Sequence, residues 1–275
     1  MDVARYLNRI RYAGRLDVSA RTLRDLHRAH MFTVPFENLD IPLGRPIVLD
    51  EARLLKKVVD DCRGGFCYEL NGAFAALLRA LGFHVTMLSA GVARPEGGFD
   101  PPFDHMALMV RLEQRWLADV GFGDSFTEPL LLDERREQSQ PGGVYRVSRA
   151  LAAPDRPVTN DEEVILESRD KQGVWTPQYR FTLQSYELGD FAEMCNYHQT
   201  SPQSIFTQKR TCTIATAAGR ITLSGVRLIT NKNRERSEVA IETAEQYREA
   251  VRTLFGFELT IGDAERLIAG SARQV

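Results

Sequence analysis

The sequence predicts an α+β fold in three consecutive parts: a helical bundle over residues 1–82, an antiparallel barrel or sheet over 83–190, and an interdomain segment with a small α/β lid over 191–275. Three observations predict it. Up to Gly82 the apolar residues recur at the three- and four-residue spacings of one helix face. From Phe83 the pattern changes to short apolar runs separated by Gly, Pro, Asn and Asp, which is strand and turn chemistry. After Phe191 a helix-like piece, three short strands and two helices close the chain.

Taken in order, Val3, Tyr6, Leu7 and Ile10 lie on one face of a first helix. Asp17 or Ser19 offers the N-cap of a second, with Leu23 and Leu26 on its face. His27 and His30, three apart on this helix, are read as a capping or packing pair rather than metal ligands. Pro35 breaks the helical pattern and introduces Phe36-Glu37-Asn38-Leu39-Asp40. Asp50 caps a third helix with Leu54, Leu55, Val58 and Val59, and Leu70, Phe74, Leu77, Leu78 and Leu81 mark a fourth that starts near Cys67. Strands are expected at 83–92, 105–112, 115–120, 144–148, 164–168 and 179–183. The polar, Pro/Gly-rich stretch 133–160 is expected to be an excursion with short strand content. In the last part, strands are expected at 211–215, 220–224 and 226–230, and helices at 244–255 and 264–269.

With 275 residues, 43% hydrophobic and 26% charged, the chain has the composition of an ordinary globular protein. A net charge of -2 gives no global field for nucleic acid or an anionic membrane. No basic segment followed by an apolar one opens the chain and no run reaches membrane-spanning length, so a cytoplasmic location is expected. The four cysteines, 62, 67, 195 and 212, are then expected to be free thiols. Cys195 and His198 form a Cys-x-x-His, but no Cys-x-x-Cys pair occurs and no metal is expected.

The chemistry concentrates at Arg63-Gly64-Gly65-Phe66-Cys67. Cys67 opens a helix, where unpaired N–H groups and the helix dipole favour thiolate over thiol. Gly64 and Gly65 are expected to adopt positive φ and to let an acyl group approach the backbone beside the sulfur. Two further apolar runs, 105–110 and 116–123, are separated by the polar turn Glu113-Gln114-Arg115 and read as a hairpin. Antiparallel pairing puts His105 and Asp119 at the same end, where the carboxylate can orient the imidazole. Cysteine, histidine and carboxylate in this order fit an activated-cysteine enzyme.

These residues resemble the arylamine N-acetyltransferases: Arg-Gly-Gly-Phe-Cys-Tyr-Glu-Leu-Asn at 63–71, a histidine 38 positions beyond Cys67, and Asp-Val-Gly-Phe-Gly at 119–123. Pro-Phe-Glu-Asn-Leu-Asp at 35–40 and Ser-Pro-x-Ser-x-Phe at 201–206 extend the resemblance over essentially the whole chain. It implies helical bundle, β-barrel and α/β lid on a cysteine-protease-like core, with Cys67, His105 and Asp119 as catalytic triad. It also implies acetyl-coenzyme A as donor and arylamines, arylhydrazines or heterocyclic amines as acceptors, in a ping-pong path through acetyl-Cys67. Phe36, Phe122 and Phe206 would line the acceptor pocket, Phe206 would also face the coenzyme, and Glu37 would pair with Arg63. Gly97 and Gly98 are coenzyme-phosphate candidates because bare loop backbone can approach phosphate. Two other readings stay open: a related macrolactam-forming amide synthase, and a catalytically silent binding module, against which the complete triad set argues.

Overall fold

In the computed structural model, residues 1–149, 160–233 and 235–270 are described; the part of the 133–160 excursion that falls on 150–159 lies outside them. Helix α1 (Val3–Arg9) is capped by Asp2, α2 (Ala20–Met31) by Ser19 and α3 (Glu51–Leu55) by Asp50, each accepting a backbone N–H from three residues on. A π-helical turn, Lys56–Asp60, extends α3. The next helix, α4 (Cys67–Ala80), is buried at every residue from Cys67 to Leu78. A helix enclosed on all sides needs small residues where neighbours come close. Gly72 is one, since a Cβ there would lie 2.7 Å from Leu54 Cδ1.

Eight strands follow α4 and form one sheet: β2 (His84–Val92), β3 (His105–Arg111), β4 (Arg115–Ala118), β5 (Leu130–Leu131), β6 (Gln138–Gln140), β7 (Gly143–Arg149), β8 (Val164–Arg169) and β9 (Trp175–Phe181). Their spatial order is β5-β4-β3-β2-β9-β8-β7-β6, all pairs antiparallel. The sheet curls until its edges meet. The seam between β5 and β6 is closed by side chains: Gln138 bonds both the N–H and the carbonyl of Leu131, and Gln140 bonds the N–H groups of Thr127 and Glu128 and the Glu128 carbonyl. Both β5 and β6 were beyond the reach of periodicity, being two and three residues long.

Strand β3 is buried on both faces, which explains its unbroken apolar run. Met106, Leu108 and Val110 join the core built on α4 and α2, whereas Ala107 and Met109 point into the barrel with Leu117, Tyr145, Val147, Leu166 and Tyr179.

A 3₁₀ turn, Leu188–Phe191, leads into α5 (Ala192–Thr200) and α6 (Ile205–Gln208). The second sheet contains β10 (Thr211–Thr216), β11 (Gly219–Ser224), β12 (Arg227–Lys232) and β13 (Glu235–Ala240). It also takes in β1 (Phe36–Glu37), which pairs with β10. Sequence reading expected neither β1 nor the charged, exposed β13. Helices α7 (Ala244–Ala250), extended by a π turn to Phe255, and α8 (Ile261–Ala269) pack on this sheet around Phe255, Phe257, Tyr247 and Leu267. No helix among the described residues is long and apolar enough to cross a membrane.

Candidate active site

Cys67 is the first residue of α4, and the helix start is fixed by Glu69, whose Oε2 accepts the Phe66 N–H at 3.1 Å. Gly64 and Gly65 do not adopt positive φ, contrary to expectation. Their missing side chains serve a close approach instead. A Cβ on Gly64 would lie 2.0 Å from the Pro35 carbonyl oxygen, and one on Gly65 would lie 2.7 Å from Glu69. The gap lets the Glu37 N–H donate to the Gly65 carbonyl at 2.8 Å, and so draws Phe36 toward the sulfur. Gly121 acts in the same way from the other side, because a Cβ there would stand 2.8 Å from Cys67 Cα.

The β3–β4 hairpin pairs Leu108 with Ala118, which brings His105 and Asp119 to one end. His105 Nε2 lies 2.7 Å from Asp119 Oδ2, with both side chains buried. A carboxylate partner makes Nε2 the donor and leaves Nδ1 as the basic nitrogen of the neutral ring. Tyr179 and Phe122 pack on the imidazole with centroids 5.0 and 5.2 Å away. Asp119 is held three more times. Its Oδ1 accepts from Asn71 Nδ2 and from the Gly121 N–H, each at 2.9 Å, and its backbone N–H donates to His27 Nε2. Burial works to raise this carboxyl, but the His105 interactions, Asn71 and Gly121 outweigh it and hold it below the usual range.

Burial pushes the Cys67 thiol well up, against a smaller opposite pull from the Met106 backbone. The helix start was expected to favour the thiolate; burial of the sulfur, with Cys67 only 3% exposed, acts in the opposite direction. Thiolate at this position requires a cation beside it.

Phe36, Cys67, His105, Phe122 and Phe206 line one cavity of about 800 Å³. Phe36 and Phe206 are 6.2 Å apart by centroid, and Arg94 and Lys209 bring positive charge to the wall. Gly97 and Gly98 lie outside this lining. They adopt positive φ in the turn after Arg94, where the Gly97 N–H is committed to the Arg94 carbonyl.

Arg63 donates to Glu37 Oε1 through Nη2 at 2.6 Å and Nε at 3.0 Å, and to Asp40 at 3.1 Å. Lys57 completes the buried network, at 2.7 Å from Asp40 and 2.8 Å from Glu69. Burial lowers the Arg63 and Lys57 pKa values, yet the surrounding carboxylates win and raise both. The charge cluster therefore ties the start of α4 to the segment that carries Phe36.

Sequence reading gave no role to Asn71 or Tyr68, and read His27 only as half of a capping or packing pair with His30. The Asn71 amide donates to the Met106 carbonyl at 2.6 Å and accepts the Val120 N–H at 3.0 Å. Tyr68 OH donates to the Phe103 and Asp104 carbonyls, which anchors the entry to β3. His27 spans Thr127 O and Asp119 N, so its Nδ1 carries the proton. Asn71 follows Cys67 by one helical turn and was visible as a polar residue in an apolar run; nothing local marked the other two. All four cysteines are free, and only Cys62 is exposed.

The site and fold gather a cysteine, a histidine and a carboxylate at one cavity, and the relatives make the class an acyltransferase. The N-acetyltransferase family model matches residues 19–264. The Escherichia coli K12 arylamine N-acetyltransferase is 38% identical over 204 residues, 73% of this chain and 68% of that protein. The Mycolicibacterium smegmatis enzyme is 32% identical over 94% of this chain and 93% of that one. The Salmonella typhimurium arylamine N-acetyltransferase structure superposes with a TM-score of 0.87 at 29% identity, covering 98% of each chain. A Mycobacterium marinum arylamine N-acetyltransferase structure in complex with CoA superposes at 0.86 with 29% identity and 99% coverage of both. The chain belongs to the arylamine N-acetyltransferase family.

Proposed function

We propose that the protein transfers an acetyl group from acetyl-coenzyme A to an arylamine, arylhydrazine or heterocyclic amine through an acetyl-Cys67 intermediate. The observation that carries this reading is that Cys67 and His105 open on one aromatic cavity while Asp119 holds His105 Nε2 at 2.7 Å. Because burial disfavours an isolated thiolate, the working nucleophile is a thiolate–imidazolium pair, with the Cys67 proton on His105 Nδ1. The thiolate attacks the thioester carbonyl, and the Cys67 backbone N–H stabilises the oxyanion. As the intermediate collapses, the imidazolium returns its proton to the departing coenzyme thiol. The amine then attacks acetyl-Cys67, His105 takes its proton, and the amide leaves with the thiol restored.

Phe36, Phe122 and Phe206 offer faces and edges to a flat acceptor ring, contacts worth on the order of 1 kcal/mol each. Their packing also keeps water from acetyl-Cys67, which separates transfer from hydrolysis. The coenzyme phosphates are assigned to Arg94 and Lys209, which line the cavity, in place of Gly97 and Gly98, which do not. The CoA complex of the Mycobacterium marinum relative supports coenzyme A as the donor's carrier.

Intact-mass measurement after incubation with acetyl-coenzyme A tests the reading. One acetyl adduct is expected, absent in Cys67→Ala and kept when Cys62, Cys195 or Cys212 is replaced. An adduct that survives Cys67→Ala defeats it.

A further inference from the structure

We infer that Asp104, braced by His198, selects the acceptor, favouring aromatic amines whose ring substituent donates a hydrogen bond and discriminating against anionic ones. This rests on the proposed transfer at the same cavity and names its substrate class. The cavity contains a second imidazole–carboxylate pair beside His105–Asp119. His198, from α5, lies with Nε2 at 3.3 Å from Asp104 Oδ1 and 3.2 Å from the Asp104 carbonyl. Two oxygens facing Nε2 require a proton there. Nδ1 lies 3.1 Å from Ser204 Oγ, which also accepts the Phe206 N–H, so both ring nitrogens are engaged.

The imidazole is itself fixed, stacked on Tyr68 and edge-on to Phe206. Asp104 is thereby held at the wall with its side chain 14% exposed, and Oδ2 has no hydrogen-bond partner among the described residues. Its charge is also felt at the sulfur, where it adds to burial in opposing the thiolate. Of the cations in the lining, Arg94 is bonded to Asp100 at 2.6 Å, and Lys209 is assigned to the coenzyme phosphates. An acceptor ring that enters this cavity therefore meets a carboxylate that a hydroxyl or N–H substituent satisfies and a carboxylate substituent opposes.

The test compares 4-aminobenzyl alcohol with 4-aminophenylacetate, in which a methylene insulates the reacting amine from the substituent. In the parent, kcat/KM should favour the alcohol by roughly tenfold or more, the effect of one partly screened charge. Asp104→Asn should narrow the gap to within about threefold, and Asp104→Glu should keep it. A ratio cancels any loss common to both acceptors, so a purely structural role for Asp104 moves neither. A parent that treats the two alike or prefers the acetate overturns the inference without recourse to a variant, and so does a gap that persists in Asp104→Asn. Normal acetylation of Cys67 with no selectivity refutes the selection alone; failure to acetylate Cys67 refutes the proposed function and the selection with it.

Discussion

Asn71 Nδ2 stands 2.9 Å from Asp119 Oδ1, so the helix that begins with Cys67 also holds the carboxylate that orients His105. Nucleophile and orienter are set by one rigid element four residues apart. Asn71→Ala would leave the Met106 carbonyl and the Val120 N–H buried without partners, at about 1–3 kcal/mol for each unsatisfied group. The expected outcome is a melting temperature several degrees lower and kcat/KM reduced by more than tenfold, the latter persisting well below the transition. Unchanged kcat/KM in a destabilised variant would make the contact purely structural.

Asp119→Asn should fold but lose acetylation by a factor of about 10³ or more, since an amide supplies no charge to the imidazolium and permits the wrong tautomer. The direct readout is the pH dependence of Cys67 alkylation by iodoacetamide. In the parent the reactive limb should lie below the free-cysteine value of about 8.5, and in the variant above it, because burial alone drives the thiol up. Coincident profiles with activity retained would remove Asp119 from the triad while leaving Cys67 in place.

Glu37→Gln tests the buried charge cluster. Glu37 is fully buried, with Oε1 on Arg63 and Oε2 accepting the Leu39 N–H at 2.7 Å. Removing its charge leaves Arg63 and Lys57 short of a counter-ion and should cost about 3 kcal/mol in urea unfolding. A parent-like midpoint and activity would mean that Asp40 and Glu69 suffice.

Acid should weaken the fold before its carboxylates titrate. Burial lowers His27 from 6.5 to about 4, and His30 moves the same way. Below pH 6.5 the unfolded chain therefore binds protons that the native state refuses, so stability present above that pH is lost on the way down toward 4. For His27 the full loss is about 3 kcal/mol. Glu69, raised by burial, opposes this in part. Urea midpoints at pH 7, 6 and 5 should fall progressively, and the slope should flatten in His27→Gln; a midpoint constant across that range contradicts the neutral, buried assignment.

The bundle helices were legible because caps and apolar spacing are local: Asp50 and Ser19 stand where they cap. The hairpin was legible for the same reason, and with it the approach of His105 to Asp119. What escaped was set by distant partners. Phe36 and Glu37 become a strand only because β10 lies beside them, and His27 meets Asp119 across 92 positions. The thiol's upward displacement escaped too, since enclosure is a property of the assembled molecule. We propose the divisions 1–82, 83–190 and 191–275 as segments of chain order rather than independent units, because β1 crosses into the last sheet and one core joins α4 to β3.

The glutamine seam of the barrel has a consequence for solubility. Strands β5 and β6 are sheet edges, and an edge with free N–H and C=O groups is a template for another chain. Gln138 and Gln140 occupy those groups on Thr127, Glu128 and Leu131 with amides that mimic a neighbouring peptide. A side-chain amide ends there and offers no further backbone to extend. The β5 side of the seam is thus closed to a foreign strand, and replacing both glutamines by alanine would expose a sticky edge whose first symptom is aggregation on refolding rather than loss of acetyl transfer.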